Sequence, residues 1–361
     1  MKEIIIFNPS IEDGGVEKNL YIISNFLSKK GLKISLISTD IDKKKKFNKN
    51  INFINPGFMD YSKSGRYVKY LSCLLILIYK ILINRNIVVL AFQANIYALI
   101  ICKMMGIKVI TRLNTAPQGW EHSSFKKLIY SYFIKKADLI IVNSIEFKKE
   151  VDKRYKIKSL CILNPFDFKK IKRLSEIKVK NFFRKNSLKI VNVARLTDQK
   201  EQLVILKALK KILKFRKAQV VIVGKGKKIN ELNSYIDEHK LHKFVKLVGY
   251  KSNPFPYILH SDVFVLSSKY EGSPNVLTEC QYLKRFIIST DCPTGTKEIL
   301  GNGKYGYLFK VGDYQKLARI LRDFKITSAH KKMINLAHNE TKKHNYELIC
   351  DQYYKSIKSF V

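Results

Sequence analysis

Two glutamates eight residues apart, Glu271 and Glu279, bracket a Gly-Ser-Pro-Asn turn in "SSKYEGSPNVLTEC", directly after the apolar run "VFVLS". The chain has only 29 acids against 68 lysines and arginines, so two acids at one turn invite a chemical reading. Gly272 permits a tight turn, and Pro274 suits a first helical turn because it has no amide hydrogen to leave unpaired. The amides of Asn275, Val276 and Leu277 then sit at the positive end of a helix dipole, a setting that favours an anion such as a diphosphate. Glu279, two turns beyond Glu271, reaches the same ligand from another side and accepts hydrogen bonds from vicinal hydroxyls, as carboxylates do on ribose. On spacing alone, two solvated surface acids are the commoner meaning of such a pair.

The elements that must carry these residues are legible as one architecture used twice. Apolar β-rich runs alternate with helical periodicity: "EIIIF", a helix from about Val16 to Lys30, "KISLIS", a helix near 66–84, "IVVLAF", a helix near 95–105, "KVITRL" and "LIIVNS". Short continuous apolar strands of this kind belong to parallel sheets covered on both faces. The pattern lapses over 166–187, a charged stretch that reads as a connection, and restarts with "KIVNVARL", "QVVIVG", "VKLVG", "VFVLSS" and "FIIST". The expectation is an α/β protein with two Rossmann-like doubly wound domains facing a central cleft: 1–165, a linker at 166–187, 188–340, and a C-terminal helix at 341–361 packing back toward the first domain. A length of 361 residues and a hydrophobic fraction of 46% fit two such cores.

Further residues join the two acids at strand ends of the same kind. Arg195 and Lys200 in "ARLTDQKE" follow a strand and supply cations fit to neutralise a leaving diphosphate. Gly224 opens the Gly-rich turn "GKGKK", and Gly14 and Gly15 stand between the first strand and the first helix, where backbone approaches a phosphate or sugar closely.

In this order the segments "DGGVEK", "LIIVNS", "LNPFD", "NVARLTDQKE", "VIVGKGKK", "VKLVGYKSNPFPYI", "SDVFVLSSKYEGSPNVLTEC", "STDCPTGTKEIL" and "GKYGYLF" resemble the retaining glycosyltransferases of family 4, with the GT-B fold, over nearly the whole chain. The resemblance implies that Arg195 and Lys200 hold the donor diphosphate, that Glu279 meets the nucleotide ribose, and that Glu271 lies near the transferred sugar. Gly272, Pro274, Asn275 and Val276 then line the phosphate and sugar oxygens, and Gly249 and Tyr250 are candidate base contacts, with a packing loop as the rival meaning. The implied reaction moves a hexose or N-acetylhexosamine from a UDP-sugar to a polyprenol-diphosphate-linked or surface-glycan acceptor, with retention and without metal or cofactor. A nucleotide-sugar epimerase of the same fold and a basic nucleic-acid binder are the alternatives; no nucleic-acid-binding module is recognisable, so nucleic acid is not an expected partner.

The chain departs from the family in two places. "CQYLKRF" replaces the usual small-residue run after Glu279, and "TRLNTAP" offers Arg112 and Asn114 where a histidine is common. Asn114 fits a sugar site or a structural turn equally well. Asp40 and Asp42 form an Asp-x-Asp that reads as a solvated turn, and His239 and His242 read as surface or packing residues. Six scattered cysteines suggest free thiols in a reducing cytoplasm, and "MKEIIIFNPS" is too short in apolar residues for an export signal.

A net charge of +39 calls for a polyanionic partner or reflects an AT-rich genome. The stretch 61–85, "YSKSGRYVKYLSCLLILIYKILINR", reads as a core helix of the first domain. Its remaining face, with Arg66, Lys69 and Lys80, fits an anionic membrane surface and hence a peripheral position on the inner face of the cytoplasmic membrane.

Overall fold

The computed structural model describes residues 2–12, 14–114, 124–179 and 183–361. The chain divides into two compact units, one of Met1–Phe166 with His344–Val361 and one of Asp167–Lys343.

The first unit holds seven parallel strands: β1 (Glu3–Phe7), β2 (Ile34–Ile37), β3 (Asn52–Ile54), β4 (Ile87–Ala91), β5 (Lys108–Arg112), β6 (Leu139–Val142) and β7 (Leu160–Cys161). Their spatial order is β3-β2-β1-β4-β5-β6-β7. Alternate side chains of each strand enter different cores. Ile4, Ile6, Val88 and Leu90 pack in one cluster, while Ile5, Phe7, Val89 and Ala91 pack in another on the opposite face. The connecting helices are α1 (Gly15–Lys29), α2 (Arg66–Ile83), α3 (Asn95–Met104), α4 (Ser124–Ile134) and α5 (Ile145–Tyr155). Helix α1 starts at Gly14, whose amide donates to Glu17 Oε2 at 2.8 Å, so an acid in the first turn satisfies a donor the helix leaves open. The C-terminal helix, Tyr346–Lys358, contributes Ile349, Cys350, Tyr353 and Ile357 to the same core as α1.

The second unit holds β8 (Leu188–Val193), β9 (Ala218–Val223), β10 (Val245–Leu247), β11 (Val263–Leu266), β12 (Phe286–Thr290) and β13 (Tyr307–Phe309), all parallel, in the order β10-β9-β8-β11-β12-β13. Its helices are α6 (Phe168–Ser175), α7 (Leu203–Ile212), α8 (Ile229–Glu238), α9 (Phe255–Leu259), α10 (Asn275–Tyr282), α11 (Thr296–Ile299), α12 (Tyr314–Asp323) and α13 (Ser328–Glu340).

Three sequence readings need correction. The stretch 166–187 is not a plain connection. Asp167 caps α6, its carboxylate accepting from the Lys170 amide at 2.9 Å, and Ile171 and Ser175 are buried against the second unit; residues 180–182 of the stretch lie outside the described ones. Asp40 is not a solvated turn. It accepts from the Ile11 amide and pairs with Lys69 Nζ at 2.8 Å, with the two side chains only 16% and 13% exposed. Lys69 is therefore an internal tie between the end of β2 and α2, and it does not belong to an outward cationic face. Asp42 stays exposed beside Lys43.

Candidate functional site

In a parallel sheet, ligands bind beyond the carboxyl ends of the strands, at the point where strand order reverses. In the second sheet that point lies between β8 and β11, which flank each other at its centre. The loop after β8 carries Arg195 and Lys200, and the loop after β11 carries Glu271 and Gly272. Topology thus brings together residues that lie 71 positions apart.

The two loops are zipped to each other. Lys269 N donates to Gln199 O and Gln199 Nε2 to Tyr270 O, both at 2.8 Å, and Ser267 Oγ donates to Lys200 O at 2.7 Å. Within this frame Lys200 Nζ forms an ion pair with Glu271 Oε1, their side chains 15% and 7% exposed. Ser268 Oγ donates to the same carboxylate oxygen at 2.6 Å. The loop after β12 braces the arrangement from behind. Thr294 Oγ1 donates to Glu271 O, and Thr290 Oγ1 donates to Ser268 O at 2.7 Å. Gly295, at φ +74°, lies so close that a Cβ there would come within 2.0 Å of Gly272 O. Ser268, Thr294 and Gly295 were given no role in the sequence reading. "STDCPTGTKEIL" marks the stretch, but which loop it braces depends on strand order.

Pro274 caps α10 in extended conformation, and no side chain caps that end. Asn275 and Glu279 on this helix are buried, at 7% and 2% exposure, whereas Arg195 is exposed. Gly224, Gly249 and Tyr250 gather at the ends of β9 and β10. Gly224 N donates to Gly249 O at 2.9 Å, and Lys225 Nζ stands 5.2 Å above the Tyr250 ring. A Cβ on Gly224 would meet Ala194 O at 1.9 Å, so glycine there lets the turn after β9 pack on the loop after β8. Gly249, at φ +71°, has open space around its Cβ position, and its turn conformation alone accounts for glycine. Gly15 belongs to the first unit, as the first residue of α1.

Cys292 lies behind the site. Burial, reinforced by the nearby Glu271 carboxylate, pushes its thiol up to about 11, which makes it a packing residue and not a nucleophile. In the first unit Asn114 Nδ2 donates to Phe92 O at 2.7 Å and to Arg112 O at 3.3 Å, tying neighbouring strand ends together. Thr115–Pro117 of "TRLNTAP" lie outside the described residues. Arg112 is fully buried, donating to Tyr353 Oη and Asn164 Oδ1 at 2.7 Å each. His242 pairs with Asp237 at 2.9 Å and His239 packs edge-on against Tyr235.

With this geometry in hand, residues 175–343 match the family model described as Glycosyl transferases group 1. The limits of the match nearly coincide with the second unit, so Arg195, Lys200, Glu271 and Glu279 all lie inside the matched stretch. An uncharacterized glycosyltransferase of Methanocaldococcus jannaschii is 35% identical over 221 residues, covering 55% of this chain. The chain spans about half of that relative, 54% of its length. The N-acetylgalactosamine-N,N'-diacetylbacillosaminyl-diphospho-undecaprenol 4-alpha-N-acetylgalactosaminyltransferase of Campylobacter jejuni is 29% identical over 251 residues, covering 65% of this chain and 67% of its own. Among solved structures, Anabaena HepE in complex with UDP and glucose matches at a TM-score of 0.81 over 99% of this chain and 100% of its own, at 16% identity. A glycosyltransferase of Rickettsia africae matches at 0.78 over 99% and 98%, at 20% identity. The fold is GT-B, as the motif order implied.

Proposed function

We propose that the chain is a retaining, metal-independent glycosyltransferase that moves a hexose or N-acetylhexosamine from a UDP-sugar to a polyprenol-diphosphate-linked or other surface-glycan acceptor. The observation that carries this reading is the pairing of Lys200 with Glu271, with Arg195 on the same loop as Lys200, at the switch point of a sheet that lies within the group 1 match. A leaving diphosphate needs positive charge, and in this reading Arg195, Lys200 and the N-terminus of α10 supply it. In the proposed step the acceptor hydroxyl oxygen bonds to the anomeric carbon on the face from which the diphosphate departs. The carbon–oxygen bond to the diphosphate breaks, its electron pair leaves with UDP, and the hydroxyl proton passes to a phosphate oxygen. Glu271 orients the sugar and Glu279 the ribose. UDP as the nucleotide follows the resemblance to family 4 and accords with the ligand of HepE.

The acceptor side of the proposal rests on the first unit and on the relatives. The Campylobacter relative is named for a diphospho-undecaprenol acceptor. No helix among the described residues is long and apolar enough to cross a membrane. Helix α2, however, leaves Tyr67, Val68, Leu71, Leu75, Tyr79, Leu82 and Ile83 exposed, with Phe58 and Met59 exposed just before it. Arg66 and Lys80 lie on the same helix, and the lysine run 43–46 precedes it in the chain. An apolar helix face flanked by cations suits the boundary between anionic headgroups and acyl chains. A second copy of a chain carrying +39 is a poor rival occupant, because like charges repel.

A thermal-shift screen of UDP, GDP and their sugars, followed by product analysis with a lipid-linked acceptor, tests the reading. A shift with UDP-sugars and UDP release only when acceptor is present support transfer. UDP release or sugar isomerisation without acceptor would favour the epimerase, and no shift with any nucleotide would remove the reading.

A further inference from the structure

The ion pair inside the site gives Lys200 two competing claims. It holds Glu271 when no donor is bound, and the proposed function needs it on the donor diphosphate. We propose that Lys200 and Glu271 form a charge exchange through which the sugar of the donor controls the grip on its diphosphate. The inference rests on the glycosyltransferase reading and goes beyond it by assigning the pair a part in product release.

The loops that carry the two residues are fixed. Gln199, Lys269 and Tyr270 join them backbone to backbone or through an amide, Ser267 ties the Lys200 carbonyl, and Thr294 ties the Glu271 carbonyl. Exchange therefore asks only for side-chain rotation within a rigid frame. With the pair closed, the ammonium and the carboxylate cancel, and an incoming diphosphate meets little net charge from them. A UDP-sugar changes this because it brings hydroxyls that donate to Glu271. Ser268 Oγ already donates to Glu271 Oε1 at 2.6 Å, so the carboxylate keeps one protein donor while sugar hydroxyls replace the ammonium. Lys200 then turns to the diphosphate, where its charge is needed as the anomeric bond breaks. After transfer the sugar leaves with the acceptor, Glu271 is left with the Ser268 hydroxyl alone, and it takes Lys200 back. UDP alone is left with a weaker hold than UDP-sugar had.

Binding of UDP to four purified proteins tests this: wild type, Glu271→Gln, Lys200→Met and the double variant. If the pair exchanges, the double variant binds UDP like wild type, because a closed neutral pair and a neutral isostere offer the diphosphate the same charge. Glu271→Gln, with a bare cation, binds UDP about ten-fold tighter, and Lys200→Met, with a bare acid, about ten-fold weaker. The double variant loses UDP-sugar binding by about a hundred-fold, since both donor contacts are gone. The double variant leaves no unpaired buried charge, so the comparison with wild type stands even if Glu271→Gln does not fold. If the double variant binds UDP about ten-fold weaker than wild type, as Lys200→Met does, then Lys200 holds UDP permanently and the exchange is overturned while the functional reading survives. If wild type binds neither UDP nor any UDP-sugar, both fall.

Discussion

Helices α2 and α12 do the same structural work, each covering a parallel sheet, yet they face outward in opposite ways. Helix α12 buries Leu317, Ala318 and Leu321 and turns Lys316, Arg322 and Asp323 outward. Helix α2 buries Ser72, Cys73, Leu77 and Ile81, a narrow stripe, and leaves a second apolar stripe on the far side. Packing on a sheet requires only one apolar face, so the second stripe of α2 has to be accounted for by something beyond its own unit. In the second unit the unusual chemistry lies inside, at the strand ends; in the first it lies on the outside of a helix.

The contrast can be broken by removing each feature separately. The largest expected effect is in the second unit: Arg195→Ala and Lys200→Ala should each lower turnover by roughly two to three powers of ten with cooperative unfolding preserved, as loss of preorganised charge commonly does. Steady-state assays with UDP-sugar check this, and near-wild-type turnover in both variants would remove the diphosphate assignment. In the first unit, replacing Leu71, Leu75 and Leu82 together with serine should weaken binding to anionic vesicles by about a hundred-fold, because each loses a fraction of its apolar burial. UDP binding should not change. Equal sedimentation of this variant and wild type with vesicles would leave the stripe without a membrane role.

Smaller effects sharpen the same division. Asp40→Ala removes the acceptor of the Ile11 amide and leaves Lys69 partly buried without its partner, so stability should fall by about 2 kcal/mol in denaturant melts. Arg66→Gln and Lys80→Gln should each cost about five-fold in vesicle binding at low salt, an effect that shrinks as salt rises; a salt-independent loss would count against electrostatic attraction. Lys69 is unsuitable for this test because its charge is spent internally on Asp40. At the bottom of the range, EDTA should leave turnover unchanged, and activity lost to chelation but restored by Mg or Mn would reject the metal-independent mechanism.

Much of this was readable along the chain because its signals are local. The strand runs "VFVLSS" and "KIVNVARL", the turn glycines and the cations that follow the strands all fall within a few positions of one another. The helix at 66–83 was equally plain from its period. What was not readable depends on pairing across the sheet. Lys200 and Glu271 each stand out locally as candidate donor contacts, but their mutual pairing arises only because β8 and β11 are neighbours. Lys69 was taken for a surface cation because nothing local says that Asp40, at the end of β2, comes beneath it. The charged composition of 168–175 hid α6, where Ile171 and Ser175 supply the inward side. Edge strands of two or three residues, such as β7 and β13, are too short to show a period.

The return of the C-terminal helix to the first unit sets the order in which the chain can mature during synthesis. The second unit is one continuous segment, so it can fold as soon as it clears the ribosome. The first unit is translated earlier but lacks Ile349, Cys350, Tyr353 and Ile357 until residues 346–358 have been made. Until then Arg112 has no Tyr353 hydroxyl to donate to, and part of the core over α1 stays open. A ribosome that stops early therefore yields a product with a completed second unit and an unfinished first one, whose open apolar surface marks it for chaperones and proteases.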